Sequence, residues 1–211
     1  MTPSFHYSSH PTVASTDWTN IDSPIVTEVI KEMRTTYKVK KIGAAGYCFG
    51  GKVCVHNYAS HTIQPSRHCI PLPAIPPSCP NQLTHTPQYV ARYLGAVGKE
   101  NNASVDAGFT AHPSFVEAAE LKAITGPLSI AAAETDQIFP ADKRHESEVI
   151  LKELSDGPLK VPYQLNLYSG VQHGFAVRAD LEDKRAKFAK EQAFIQAVQW
   201  FDYFLKDGAG K

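Results

Sequence analysis

Lys41-Ile-Gly-Ala-Ala-Gly-Tyr-Cys-Phe-Gly-Gly51 runs from a short apolar stretch into a turn of small residues with one cysteine at its tip. Gly46-Tyr47-Cys48-Phe49-Gly50 fills the small-x-nucleophile-x-Gly pattern of a nucleophile elbow, a strained turn leading from a buried strand into a helix. Glycine on both sides of Cys48 suits a turn where two backbones approach closely and unusual φ/ψ values are required. A helix after the turn would aim its N–H groups and positive dipole end at Cys48, favouring thiolate over thiol. Free cysteines are more often buried and inert, so the functional reading depends on an acid and a histidine further along.

Before the elbow, Val39 to Ala45 reads as a strand of small and apolar residues, buried enough for the centre of a parallel sheet. Upstream of it, Ser23 is an N-cap candidate and Pro24 suits the first helical position. Ile25, Val26, Val29, Ile30 and Met33 then form a stripe at helical spacing, and the helix is expected to end near Tyr37. Residues 1–20 are polar, rich in Ser, Thr and His and without periodicity, so a poorly ordered N-terminal segment is expected there.

Downstream the pattern breaks. Val53–Gln88 holds seven of the 15 prolines, three of the 4 cysteines and four of the 9 histidines, in an order with neither helical nor strand period. It starts where the elbow helix should continue, and Tyr89, Val90, Tyr93, Leu94 and Val97 resume a stripe in register with Phe49 if Lys52 is joined to Tyr89. The helix reads as cut in two by an irregular insertion. A loop of this length inside a compact domain is uncommon. One expectation is translated intron: Val53-Cys54 can be encoded GTATGT, Leu83-Thr84 can contain CTAAC and Gln88 can be CAG, which are donor, branch and acceptor signals in order. The alternatives are a genuine disordered insertion, or a zinc site using Cys54, His56, His61, His68, Cys69 and Cys79. That set lacks paired Cys or His knuckles, and no metal is expected.

From Ser104 strands and helices alternate again. Val105–His112, Leu128–Ala133 and Tyr163–Tyr168 read as strands, Ala118–Ile124 as a short helix or turn, and Pro140 as the opening of a helix to about Leu154. A long helix over Lys184–Leu205 is expected to turn Phe188, Phe194, Ile195, Val198, Phe201 and Leu205 inward on one face. The order predicts an α/β fold, a mostly parallel sheet flanked by helices. The domain is placed at 21–52 and 89–207, interrupted by 53–88.

Composition narrows the class of partner. The formal net charge of zero gives no electrostatic footprint for nucleic acid or an anionic membrane. No run reaches about 18 apolar residues, and the N-terminus shows no basic region followed by an apolar core. A soluble, cytoplasmic protein with reduced thiols is expected, with a small molecule as its partner; oligomeric state is left open.

In such a sheet the site lies beyond the carboxyl ends of the strands. Cys48 follows the first strand, Asp136 follows Leu128–Ala133, and His173 follows Tyr163–Tyr168. The order nucleophile, acid, histidine is that of α/β-hydrolases. His173 would take the Cys48 proton, and Asp136 would hold the imidazole in the right tautomer. The Phe49 backbone N–H and a second donor would hold the oxyanion. Glu134 is a rival acid. His112, at another strand end, either lines the pocket or caps its strand. Tyr47, beside the cysteine, is grouped with it among substrate-binding candidates.

The elbow, the segment Ala133-Glu-Thr-Asp-Gln-Ile-Phe-Pro140 and His173-Gly-Phe-Ala176 together resemble the dienelactone hydrolase family of α/β-hydrolases, particularly fungal-looking members. The resemblance covers about Ile25–Lys52 and Tyr89–Leu205. It implies a triad of Cys48, Asp136 and His173, hydrolysis of a cyclic enol ester to a ring-opened keto acid, and no cofactor. It also implies arginines that hold the substrate carboxylate, with Arg178 one residue late for that place. Family members carry several strands before the elbow, and a loop there supplies the second oxyanion donor. Against that pattern this chain is expected to be an N-terminally truncated, incomplete α/β-hydrolase fold, either a cysteine hydrolase or a catalytically defective protein of the same fold acting as a binding scaffold.

Overall fold

The computed structural model describes residues 18–48, 54–56, 89–114 and 116–206. Residues 1–17, the start of the elbow helix at Phe49 and all of the 53–88 insertion except 54–56 lie outside the described residues.

The parallel sheet is built from β1 (Gly43–Tyr47), β3 (Ala107–Ala111), β4 (Leu128–Thr135) and β5 (Tyr163–Gln172), each paired in parallel with the next. A short β2 (Cys54–His56) pairs antiparallel on the outer side of β1, giving the order β2-β1-β3-β4-β5. The insertion is therefore not irregular throughout. An edge strand presents a row of unpaired backbone N–H and C=O groups, and three residues of the insertion meet that row.

The helices are α1 (Trp18–Thr35), α2 (Tyr89–Leu94), α3 (Ala96–Glu100), α4 (Ala118–Lys122), α5 (Ala141–Asp156), α6 (Phe175–Arg178) and α7 (Lys184–Leu205). Period-2 alternation divides the strand residues between two cores. Ala44, Ile130 and Ala132 join Ile30, Tyr93, Leu94 and Leu151 from α1, α2 and α5 on one face. Ala45, Ala131 and Ala133 join Ala189, Ala193, Ala197, Phe201 and Leu205 of α7 on the other. The result is a sheet between two helical layers. Among the described residues no helix is long and apolar enough to cross a membrane.

Three expectations are corrected. First, α1 begins at Trp18, before the expected N-cap Ser23, so Pro24 lies inside it. A proline removes one i→i−4 hydrogen bond without forbidding helix on both sides. Second, β1 starts at Gly43 and not at Val39. Lys38 adopts φ 54° and Val39 N–H returns to Met33 C=O, so the chain is still turning where a strand was expected.

Third, α7 has the expected limits and buries Phe201 and Leu205 as expected, but alanines take the inward positions expected for Phe188, Phe194 and Ile195. Ala189, Ala193, Ala197, Phe201 and Leu205, spaced four apart, are buried, while Phe188 and Phe194 are 61% and 65% exposed. The reason is volume. The strands under α7 present mainly alanine, so alanines let the helix approach closely where phenylalanines would hold it away. At its C-terminal end Phe201 and Leu205 fill the space over Gly43, where a Cβ would lie 2.8 and 2.7 Å from their Cδ1 atoms. One polar peg crosses this layer: buried Gln196 donates to Ser129 Oγ and Ile130 C=O and accepts from the Tyr168 hydroxyl.

Candidate active site

The carboxyl ends of four parallel strands converge on one cluster. Cys48 follows β1 directly and adopts φ 56°, a left-handed conformation that an L-residue takes at a cost and that a nucleophile elbow requires. Its sulfur is 3.0 Å from His173 Nε2. His173 stands beyond β5, and its backbone N–H donates to Thr135 C=O. Gly174 follows at φ 93°, a turn that glycine takes without a Cβ penalty, and opens α6.

Asp136, just beyond β4, divides its oxygens between two tasks. Oδ1 accepts the backbone N–H groups of Ile138 and Phe139, both at 2.9 Å, which closes the turn. Oδ2 lies 2.8 Å from His173 Nδ1, with the Asp136 side chain fully buried. Burial alone would push this carboxyl up; the His173 hydrogen bond and the two backbone N–H groups outweigh it, and the net shift is downward. His173 is pushed up to about 9, first by the hydrogen bond to Asp136 and then by that to Cys48, against the opposing effect of burial. An ionised Asp136 fixes the proton on Nδ1 and aims Nε2 at the sulfur. The three side chains thus form a continuous relay from carboxylate to thiol. Glu134, the rival acid, instead accepts the Gly170 N–H at 2.7 Å.

The end of β3 brings His112 and Ser114. His112 is fully buried at φ 38°, with its ring centroid 5.0 Å from that of His173, 5.7 Å from Phe175 and 6.3 Å from Tyr47. Neither of its ring nitrogens has a hydrogen-bond partner among the described residues. It therefore faces the cluster and does not cap the strand. Ser114 was not singled out from sequence. Its buried hydroxyl lies 3.8 Å from Cys48 Sγ and 3.5 Å from His173 Nε2. Its position two residues after His112 at a strand's carboxyl end was the signal that could have found it.

The remaining candidates surround the relay. Tyr47 packs edge-on against Phe109 and, with Ala176, Leu181, Phe194, Ile195 and Lys190, lines a depression of about 560 Å³. Phe194 and Ile195, exposed on α7, are thereby part of a wall next to the elbow. Arg178 ends α6, exposed, with its guanidinium over Gly174: a Cβ there would be 3.0 Å from Nη2. Phe49 lies outside the described residues.

Residues 93–205 match the dienelactone hydrolase family, a span that includes Asp136, His173 and Arg178. The chain is 44% identical over 184 residues to the hydrolase tropI of Talaromyces stipitatus, covering 87% of this chain and 54% of that protein. It is 43% identical over 183 residues to the hydrolase pyvD of Aspergillus violaceofuscus, covering 87% and 56%. Dienlactone hydrolase 1 of Gibberella moniliformis is 32% identical over 99 residues, 47% of this chain and 36% of that protein. The chain thus spans about half the length of the first two of these relatives. The elbow, the strand-end relay and a family match over more than half its residues lead to one assignment: the chain belongs to the dienelactone hydrolase family.

Proposed function

We propose that the chain carries the catalytic centre of a cofactor-independent cysteine hydrolase that opens an ester or lactone, with an enol lactone as the substrate class that the family relationship favours. The observation that carries this reading is the unbroken line from Asp136 Oδ2 through His173 to Cys48 Sγ, at 2.8 and 3.0 Å.

With His173 pushed up to about 9, it is an imidazolium at neutral pH, and a cation 3.0 Å from the sulfur favours the thiolate that the reaction needs. The thiolate attacks the ester carbonyl carbon, forming a C–S bond and moving the carbonyl electron pair onto oxygen. The Phe49 backbone N–H is assigned to that oxyanion, with a second donor beside it. Collapse re-forms the carbonyl and expels the enolate or alkoxide, which takes the Nε2 proton from His173. The now neutral imidazole removes a proton from water, the hydroxide attacks the thioester, and the thiolate leaves as the acid is released. A ring-opened enol then tautomerises to a keto acid. Arg178 is assigned to a substrate carboxylate, and Tyr47 and His112 to the substrate's apolar body.

Iodoacetamide labelling below pH 8, combined with hydrolysis of a p-nitrophenyl ester and an enol lactone, tests this reading. Cys48 is expected to label well before Cys54, Cys69 and Cys79, and Cys48→Ala to reduce hydrolysis by about 10³-fold or more. Equal, slow labelling of all four cysteines with hydrolysis untouched by Cys48→Ala would overturn it. Fast labelling of Cys48 with no ester turned over would favour a binding scaffold of the same fold.

A further inference from the structure

The relay uses Cys48 and His173, and the ring nitrogens of a third group at the same place take no part in its proton transfers. His112 is fully buried and has no hydrogen-bond partner for either ring nitrogen among the described residues. Buried polar atoms are nearly always satisfied, and one that is not asks for a missing ligand. A ligand atom from each of Cys48, His112 and His173 lies within 4.8 Å of those of the other two. We infer that these three side chains form a binding site for zinc, and that the ion, when bound, occupies the nucleophile and holds the enzyme inactive.

The donor set and its surroundings fit this ion. One thiolate and two neutral imidazoles are ligands for a borderline-soft transition metal, not for magnesium or calcium, which take oxygen. Zinc binds sulfur at about 2.3 Å and imidazole nitrogen at about 2.0–2.1 Å in a tetrahedron. Such a tetrahedron separates its ligand atoms by roughly 3.3–3.6 Å. The three ligand atoms lie within 4.8 Å of one another, and Cys48 Sγ and His173 Nε2 are 3.0 Å apart. Three protein ligands leave a fourth position for water, as in open zinc sites.

The second shell is also present. Metal-bound histidines commonly donate their other ring N–H to a carboxylate, which fixes the tautomer and the ring plane. His173 already lies 2.8 Å from Asp136 through Nδ1 and turns Nε2 toward the sulfur. Both Cys48 and His112 adopt positive φ, at 56° and 38°, and their ligand atoms lie within 4.8 Å of each other. Binding exchanges one proton for the ion: the proton shared between Cys48 and His173 leaves to solvent, sulfur and Nε2 each give a lone pair to zinc, and no electron is transferred.

The site needs only this geometry, whereas its inhibitory consequence rests on the hydrolase reading. The test separates the two because it is read without substrate. The metal-free full chain is titrated with Co²⁺ as a spectroscopic stand-in, then with Zn²⁺. At one equivalent, a thiolate-to-cobalt charge-transfer band and visible bands of tetrahedral intensity are expected, both removed by one equivalent of Zn²⁺. Cys48→Ser should abolish the charge-transfer band. His112→Gln should weaken Co²⁺ binding by more than about 100-fold, and Asp136→Asn by about 10- to 100-fold. A triple variant of Cys54, Cys69 and Cys79 to Ser should keep the full spectrum. No thiolate band at one equivalent, a band that survives in Cys48→Ser, or one that disappears in the triple variant would overturn the proposal. Hydrolysis by the metal-free chain, measured separately, reports on the hydrolase reading alone.

Discussion

Two aspartates, at opposite ends of the same sheet, receive a cation and backbone N–H groups in similar ways. At the amino ends of the strands, Asp106 Oδ2 accepts Arg34 Nη2 at 2.5 Å and the Ile42 N–H at 2.7 Å, tying the end of α1 to β1 and β3. Arg34 also caps the carbonyls of Val39 and Ser104. At the carboxyl ends, Asp136 binds His173 and the N–H groups of Ile138 and Phe139. The difference lies in the cation and in what stands behind it. A guanidinium does not release its proton over the range in which an imidazole titrates, and Arg34 leads only to more backbone. An imidazole can pass its proton on, and beyond His173 Nε2, at 3.0 Å, stands the Cys48 sulfur. The same pairing chemistry ties a helix to two strands at one end and lines up a carboxylate, an imidazole and a sulfur at the other.

Neutralising the relay should have the largest effect. Asp136→Asn keeps an oxygen for Ile138 and Phe139 but removes the anion that orients His173, so hydrolysis should fall by about 10³- to 10⁴-fold. The melting temperature should move by only a few degrees. Steady-state ester hydrolysis and a thermal melt on the same sample decide it; a loss of less than tenfold would break the comparison.

Asp106→Ala should do the reverse. Its ion pair with Arg34 is about one-quarter exposed, so removing the acceptor for Arg34 and Ile42 should cost about 1–3 kcal/mol in urea denaturation, with the rate per folded molecule unchanged. The smallest effect, and the one that sharpens the contrast, is in pH. Because His173 is raised from 6.5 to about 9, its pairing stabilises the fold fully below about pH 6.5 and is lost as pH rises through about 9. Stability measured across that window should decline in the parent and stay flatter in Asp136→Asn, while Asp106→Ala should retain the decline. Hydrolysis should fall on the same alkaline limb, as the imidazolium that protonates the leaving group disappears.

Much of the fold was legible because it is written locally. The strand over Leu128–Ala133, the helix from Pro140 and the limits of α7 follow from period and punctuation within each segment. Cys48, Asp136 and His173 were legible because each follows a strand, and parallel strands bring their carboxyl ends together. The corrected face of α7 was not legible in the same way. By periodicity its phenylalanines form as good a stripe as its alanines; the choice belongs to the alanine-lined strands beneath, which are distant in sequence.

The alternation of strands and helices, the elbow and the order of the three reactive side chains are readable from the chain alone, since these depend on neighbours within a few residues. Packing across the sheet is what brings Asp136 and not Glu134 to His173, sets Ser114 beside the sulfur, and buries His112 with no partner for its ring nitrogens among the described residues. Those outcomes depend on distances across the sheet and on the volumes packed against it, quantities that no single segment contains.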